Sequence, residues 1–174
     1  MDRRAAVVSA PERKTGSRER VRAILAEHGL TDGVFEFEQS TKTAQMAADA
    51  MGCELGQIVK SLVVVAEGRP AMALVAGDRR GDLAAIAEQL GAAKARMADA
   101  DTVREATGYA IGGVSPFGLP EELPVLIDDS LERFDTVYPA AGTPSSMVRL
   151  AREQLMNLCP GRVARISQPL PEQD

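Results

Sequence analysis

Lys60 is embedded in the most apolar stretch of the chain, IVKSLVVV. Burying an ammonium without a partner is costly, so two accounts compete. In one, the lysine ends a strand and its head reaches back to water. In the other, it is a cation aimed into a pocket that receives an oxyanion, carbonyl or phosphate. The segment GYAIGGVSPFG holds Gly108, Gly112, Gly113 and Gly118 with Pro116. Paired glycines permit positive φ and leave N–H groups pointing outward, as in anion nests, although a plain crossover loop has the same composition. A second Gly/Pro turn, AAGTPSS, carries hydroxyls around Gly142 and Thr143. Asp128 and Asp129 close the segment LIDD, where a solvated strand end or helix cap competes with a general base.

Much other chemistry is missing. The single histidine, His28, stands in AEHGL near a helix end, where a cation suits the helix dipole. A nucleophile–histidine relay would depend on it alone. Cys53 and Cys159 lack C-x-x-C spacing and read as small buried hydrophobes. No His/Cys cluster has zinc spacing, and neither G-x-G-x-x-G nor the P-loop signature occurs. No metal or cofactor is expected.

The elements that must position these residues follow from periodicity. Residues 17–29 read as a helix with Ser17 as N-cap, and VFEFE as a short half-buried strand. TAQMAADAMG reads as a helix capped by Thr43 and stopped by Gly52. IVKSLVVVAEG and RPAMALVAGD form two strands around a Gly68-Arg69-Pro70 turn. Asp82 opens the helix LAAIAEQLG, ARMAD is a strand, and DTVREATG is a helix capped by Asp101. After the loop at 108–120 come strands in PVLIDDSL, FDTVYPAAG and MVRL, the helix EQLMNL and a strand in GRVARIS. Strands joined by tight turns must be antiparallel, and no regular βαβ rhythm appears. The expected class is α/β (α+β mixed), a partly curled mixed sheet with helices outside.

A chain of 174 residues, 45% hydrophobic and 26% charged, has the size and composition of one globular domain. The expected organisation is an N-terminal arm over 1–16, a domain over 17–168 and a polar tail over 169–174. Two unpaired cysteines and the lack of a long apolar run predict a cytoplasmic protein with no membrane partner. Net charge −5 and six aromatics without Trp argue against a DNA partner or a single-strand stacking platform. Any RNA contact must be local, with Arg79, Arg80, Lys94 and Arg96 as one basic cluster.

In chain order these features are a Thr43-capped helix, Lys60, GGVSPFG, LIDD and AAGTP. The order resembles the YbaK family, free-standing relatives of the editing domain inserted in bacterial prolyl-tRNA synthetases. The stretches that carry the resemblance are QSTKTAQMAADAMGCELGQIVKSLVVV, TGYAIGGVSPFG, VLIDDSL and AAGTPSS, within residues 20–168. The resemblance implies the YbaK fold and trans-editing, the hydrolysis of wrongly charged tRNA. It makes Lys60 the key functional residue, over the aminoacyl ester and terminal adenosine. The pocket it implies is lined by Gly112, Gly113, Val114, Ser115, Pro116, Phe117, Gly118 and Gly142; Thr43, Asp128 and Thr143 join the candidate substrate-binding set from the residues themselves. Several relatives place a basic residue and an acid after the glycine of the second turn. Here Thr143, Pro144, Ser145, Ser146 and Met147 follow it instead.

The implied partners are the acceptor end of aminoacyl-tRNA and a prolyl-tRNA synthetase. The expected reaction is metal-independent deacylation of tRNA bearing Ala, Ser, Thr or Cys. Lys60 and loop N–H groups would stabilise the oxyanion, and the substrate's ribose hydroxyl would direct water. The competing class is a non-catalytic module of the same fold that holds an aminoacyl or nucleotide end, or a synthetase.

Overall fold

In the computed structural model, residues 16–39, 41 and 43–171 are described. The expected arm over 1–16 therefore lies outside them except for Gly16, as does the tail beyond residue 171. The first helix, α1 (Ser17–Glu27), buries Val21 and Leu25. Its N-cap is Gly16, whose carbonyl accepts from Arg20 N at 2.6 Å, so Ser17 already lies within the helix. His28 is the C-cap, and its Nδ1 lies 2.9 Å from the Ile24 carbonyl oxygen. After β1 (Val34–Glu36), α2 (Ala44–Met51) starts where Thr43 accepts from Met46 N at 3.1 Å. Gly52 ends it in the left-handed conformation, as its position in the sequence predicts.

The centre is a hairpin of β2 (Ile58–Ala66) and β3 (Arg69–Ala76), paired from Val59↔Ala76 to Ala66↔Arg69. Its turn is Glu67–Gly68, both at positive φ, so Arg69 and Pro70 belong to β3 rather than to the turn. Two positive φ values match the twist of a two-residue hairpin loop. Next come β4 (Arg79–Gly81), α3 (Leu83–Gln89), β5 (Ala95–Met97) and α4 (Ala100–Thr107). Asp82 caps α3 as expected. The cap of α4 is Asp99, not Asp101, because Asp99 is the carboxylate in reach of Thr102 N, at 2.8 Å.

The remaining elements are β6 (Val125–Asp128), β7 (Thr136–Pro139), β8 (Ser146–Val148), β9 (Leu150–Ala151), α5 (Arg152–Leu158), β10 (Arg162–Ala164) and β11 (Ser167–Pro169). The main sheet runs β10-β6-β3-β2-β7-β9, with β5 also on β2, and it mixes parallel and antiparallel pairs. The ribbons β1–β8 and β4–β11 flank it.

Side chains alternate along β2. Val59 and Val63 join the main core with Val21, Val114, Phe117 and Leu155, while Leu62 and Val64 join a second core with Ile86 and Ile166. Each buried aliphatic side chain contributes roughly 1.5–3 kcal/mol of transfer free energy. A strand covered on both faces therefore anchors whatever it carries.

Candidate active site at an open strand edge

The edge of β2 opposite β3 is shared by two short strands. β7 pairs with Ile58 and Val59, and β5 pairs with Val64 to Ala66, which leaves Lys60–Val63 outside both registers on that side, with the Val63 carbonyl accepting from Ala98 N. A cavity of about 300 Å³ opens there. It brings together Thr43, Lys60, Gly112, Val114 and Thr143 of the sequence-derived set. Thr41, Ser61, Pro144 and Met147 complete its polar and apolar walls.

Lys60 is half-buried, and its ammonium donates to the carbonyl of Arg79. Burial pushes its pKa below the ordinary lysine value, and the nearby Asp78 carboxylate partly opposes that shift. An ammonium has three donors, so the bond to Arg79 leaves two for a ligand. Ser61 was not singled out by its sequence, yet it follows Lys60 on the other face of β2. Strand alternation therefore directs it to the face of Val59, Val63 and Val114. Its hydroxyl oxygen is buried and has no hydrogen-bond partner among the described residues. The available signal was its place between Lys60 and the valine run, in a strand whose neighbours had still to be assigned.

Two glycine turns wall the cavity and are locked from behind. The Tyr109 hydroxyl donates to the Phe117 carbonyl at 2.5 Å, which closes the loop between them. Arg20 of α1 stacks 4.3 Å from the Tyr109 ring centroid and donates to the Thr107 carbonyl at 3.0 Å. A β-carbon on Gly113 would lie 2.8 Å from Thr143 Cα, so the loop meets the second turn backbone to backbone. Gly142, at φ +100°, has the Ser17 carbonyl oxygen 2.8 Å from where a β-carbon would stand. Only glycine combines that conformation with that approach.

The other expected site residues stand elsewhere. Gly113 and Gly142 back the cavity without lining it. Ser115 and Phe117 are fully buried and do not line the cavity, and the Ser115 hydroxyl accepts from Phe117 N at 3.4 Å. Pro116 and Gly118 border a different depression beside Leu158 and Cys159. Asp128 is fully buried and accepts from Ile166 N at 2.8 Å and Ser167 Oγ at 2.6 Å. Ser130 donates to it as well, through both its N–H and its hydroxyl. Those bonds use its lone pairs to pin the end of β6, so the structure does not bring it to the cavity.

Burial pushes the Cys159 thiol up to about 12 and raises Cys53 too, which keeps both protonated at neutral pH. Among the described residues, no group of three or more His, Cys, Asp or Glu could hold a metal ion. No described helix is long and apolar enough to cross a membrane.

Comparison with known proteins agrees with this arrangement. The family model of the aminoacyl-tRNA editing domain matches residues 38–158. YwhH of Bacillus subtilis (strain 168) is 40% identical over 136 residues, 78% of this chain and 86% of that protein. The multifunctional Ser/Thr-tRNA deacylase ProXp-y of Escherichia coli (strain K12) is 30% identical over 152 residues, 80% of this chain and 90% of that protein. A crystal structure described as a "putative trans-editing enzyme for prolyl tRNA synthetase" superposes with a TM-score of 0.80 at 40% identity, covering 88% of this chain and 98% of that one. With its mixed curled sheet, its lysine on the central strand and its two glycine turns, the chain belongs to the aminoacyl-tRNA editing domain family, the YbaK-like trans-editing deacylases.

Proposed function

We propose that this protein deacylates mischarged tRNA carrying a small amino acid of the Ala, Ser, Thr or Cys class, without a metal. The observation that carries the reading is the pairing of Lys60 and Ser61 with Gly112, Val114 and Thr143 around one cavity of about 300 Å³. That volume is at the small end of ligand sites, which suits a short acyl group better than a long one. Its similarity to the Ser/Thr-tRNA deacylase supports the same class.

An aminoacyl ester is already activated, so oxyanion stabilisation and positioning suffice for useful rates. Water adds to the ester carbonyl carbon, and the free donors of Lys60 balance the charge that develops on the carbonyl oxygen. The bond to the ribose oxygen then breaks. The amino acid leaves as its carboxylate, and the tRNA regains its terminal hydroxyl. No histidine lines the cavity, so a substrate ribose hydroxyl is the group proposed to direct the water. Small walls held by glycine and proline geometry discriminate by size, at roughly 1–3 kcal/mol per methylene. Contact with a prolyl-tRNA synthetase is proposed on the likeness to the trans-editing structure.

The test is a panel of aminoacyl-tRNAs graded by side-chain size, incubated with purified protein after EDTA treatment. Preferential release of alanine, serine, threonine or cysteine is expected. Preference for arginyl, glutamyl or tryptophanyl esters, or loss of activity on chelation, would refute the corresponding part. Tight binding of these tRNAs with no turnover would instead favour the non-catalytic module.

A further inference from the structure

A protein of net charge −5 that captures RNA must concentrate positive charge where the RNA backbone passes. The four residues that the sequence offered are spread over separate elements, with Arg79 and Arg80 on β4, Lys94 in the connection after α3 and Arg96 on β5. Arg79 instead joins Arg133 and Arg165, with Asp129 and Ser130, around a concavity of about 370 Å³. This concavity adjoins the candidate active site through one residue, because the Arg79 carbonyl accepts from Lys60 Nζ.

Its wall is built from the interior. The fully buried Asp128 carboxylate accepts from Ser167 Oγ at 2.6 Å, and Ser167 Oγ accepts from Arg79 Nε at 3.1 Å. Arg133 is held by Asp78 through bonds of 2.8 and 2.7 Å. Arg165, by contrast, is largely exposed, and its one ion pair among the described residues is a 3.6 Å contact with Asp129. Three arginines line the concavity with one carboxylate, Asp129, while Asp78, the buried Asp128 and Glu54 also act on Arg133 from around it. Arginine forks match phosphate oxygens, and a loosely paired Arg165 is free to exchange Asp129 for a phosphate.

We infer that the concavity of Arg79, Arg133 and Arg165 binds phosphodiester groups of the RNA strand leading to the ester in the Lys60 cavity. The inference rests on the proposed tRNA substrate but not on turnover, so it is tested by binding. The probe is an unacylated tRNA transcript, titrated at several salt concentrations between 50 and 200 mM. Arg165→Glu should weaken binding roughly three- to tenfold at low salt and lower the salt slope by about 1. Arg79→Gln should act in the same direction. The pair Lys94→Gln/Arg96→Gln should leave affinity and slope nearly unchanged.

Hydrolysis of a small 2′(3′)-O-aminoacyl adenosine, which lacks the leading strand, should be unaffected by Arg165→Glu. Wild-type affinity and slope in both arginine variants would overturn the inference while leaving the hydrolase reading intact. Arginine-dependent RNA binding by a protein that hydrolyses no ester would support the inference and defeat the hydrolase reading.

Discussion

The Tyr109 hydroxyl and the Phe117 carbonyl oxygen lie 2.5 Å apart and clasp the ends of the loop that carries Gly112 and Val114. Both residues are fully buried, and Arg20 covers the Tyr109 ring from α1. The wall of the cavity is therefore held by a bond and a cation–π stack whose side chains are not part of its lining. Tyr109→Phe leaves a buried carbonyl unsatisfied, which costs about 1–3 kcal/mol. Urea unfolding should show that loss. The KM for aminoacyl-tRNA should rise more than kcat falls, since the loop loosens while Lys60 stays in place. Unchanged KM would separate the clasp from the site.

Lys60→Ala should retain the fold and lower deacylation at least tenfold, in the range seen for loss of one oxyanion-stabilising donor, about 100-fold. In the proposed mechanism the acting form is the ammonium, and burial lowers its pKa. Activity should therefore decline on the alkaline side before an ordinary lysine would titrate. Lys60→Arg keeps the charge at any accessible pH, so whatever activity it retains should lose that alkaline limb. A pH profile of kcat/KM, corrected for spontaneous ester hydrolysis, measures this directly.

Ser61→Ala should separate stability from function. The Ser61 hydroxyl is buried without a partner, so its removal should leave stability unchanged or raise it by up to about 1 kcal/mol. Deacylation should fall severalfold if the hydroxyl meets the substrate. Parental turnover in a protein of equal or greater stability would exclude that role.

The Arg133 guanidinium beside Asp78 holds its carboxyl below the ordinary carboxylate value. A depressed folded-state pKa contributes stability that is complete above the unfolded value and is lost as pH falls through the folded one. Arg133→Gln should therefore destabilise the protein at neutral pH, with the difference shrinking below pH of about 4. Denaturation midpoints of both proteins across that range provide the check.

Met147 is buried, lines the cavity and pairs with Phe35 across β1 and β8. Met147→Ala should cost about 2–5 kcal/mol and widen the accepted range toward bulkier acyl groups. A size series of aminoacyl-tRNAs, run below the variant's melting temperature, reads the second effect. An unaltered size profile would remove Met147 from the specificity wall.

Much of the fold could be read from local chemistry. Thr43 and Asp82 cap the helices predicted for them, and the β2–β3 hairpin follows from its apolar runs. These features depend on neighbours a few residues away, within reach of periodicity and capping rules. The order of Lys60, the glycine loop and the Gly142 turn likewise pointed to a family and its reaction. What the sequence left open was how side chains were shared between faces and neighbours. That β5 and β7 stop short along the same edge of β2, and so open a cavity beside Lys60 and Ser61, follows from pairing between distant segments. Asp128 reads as a strand-end acid, yet donors from Ile166 and Ser167, far along the chain, make it a buried anchor. Arg20 gains its place only in the tertiary structure, where α1 sets its guanidinium over the Tyr109 ring. Pairing register and docking are set by contacts between distant segments, whose free energy is shared over many side chains, so no short stretch of sequence encodes them.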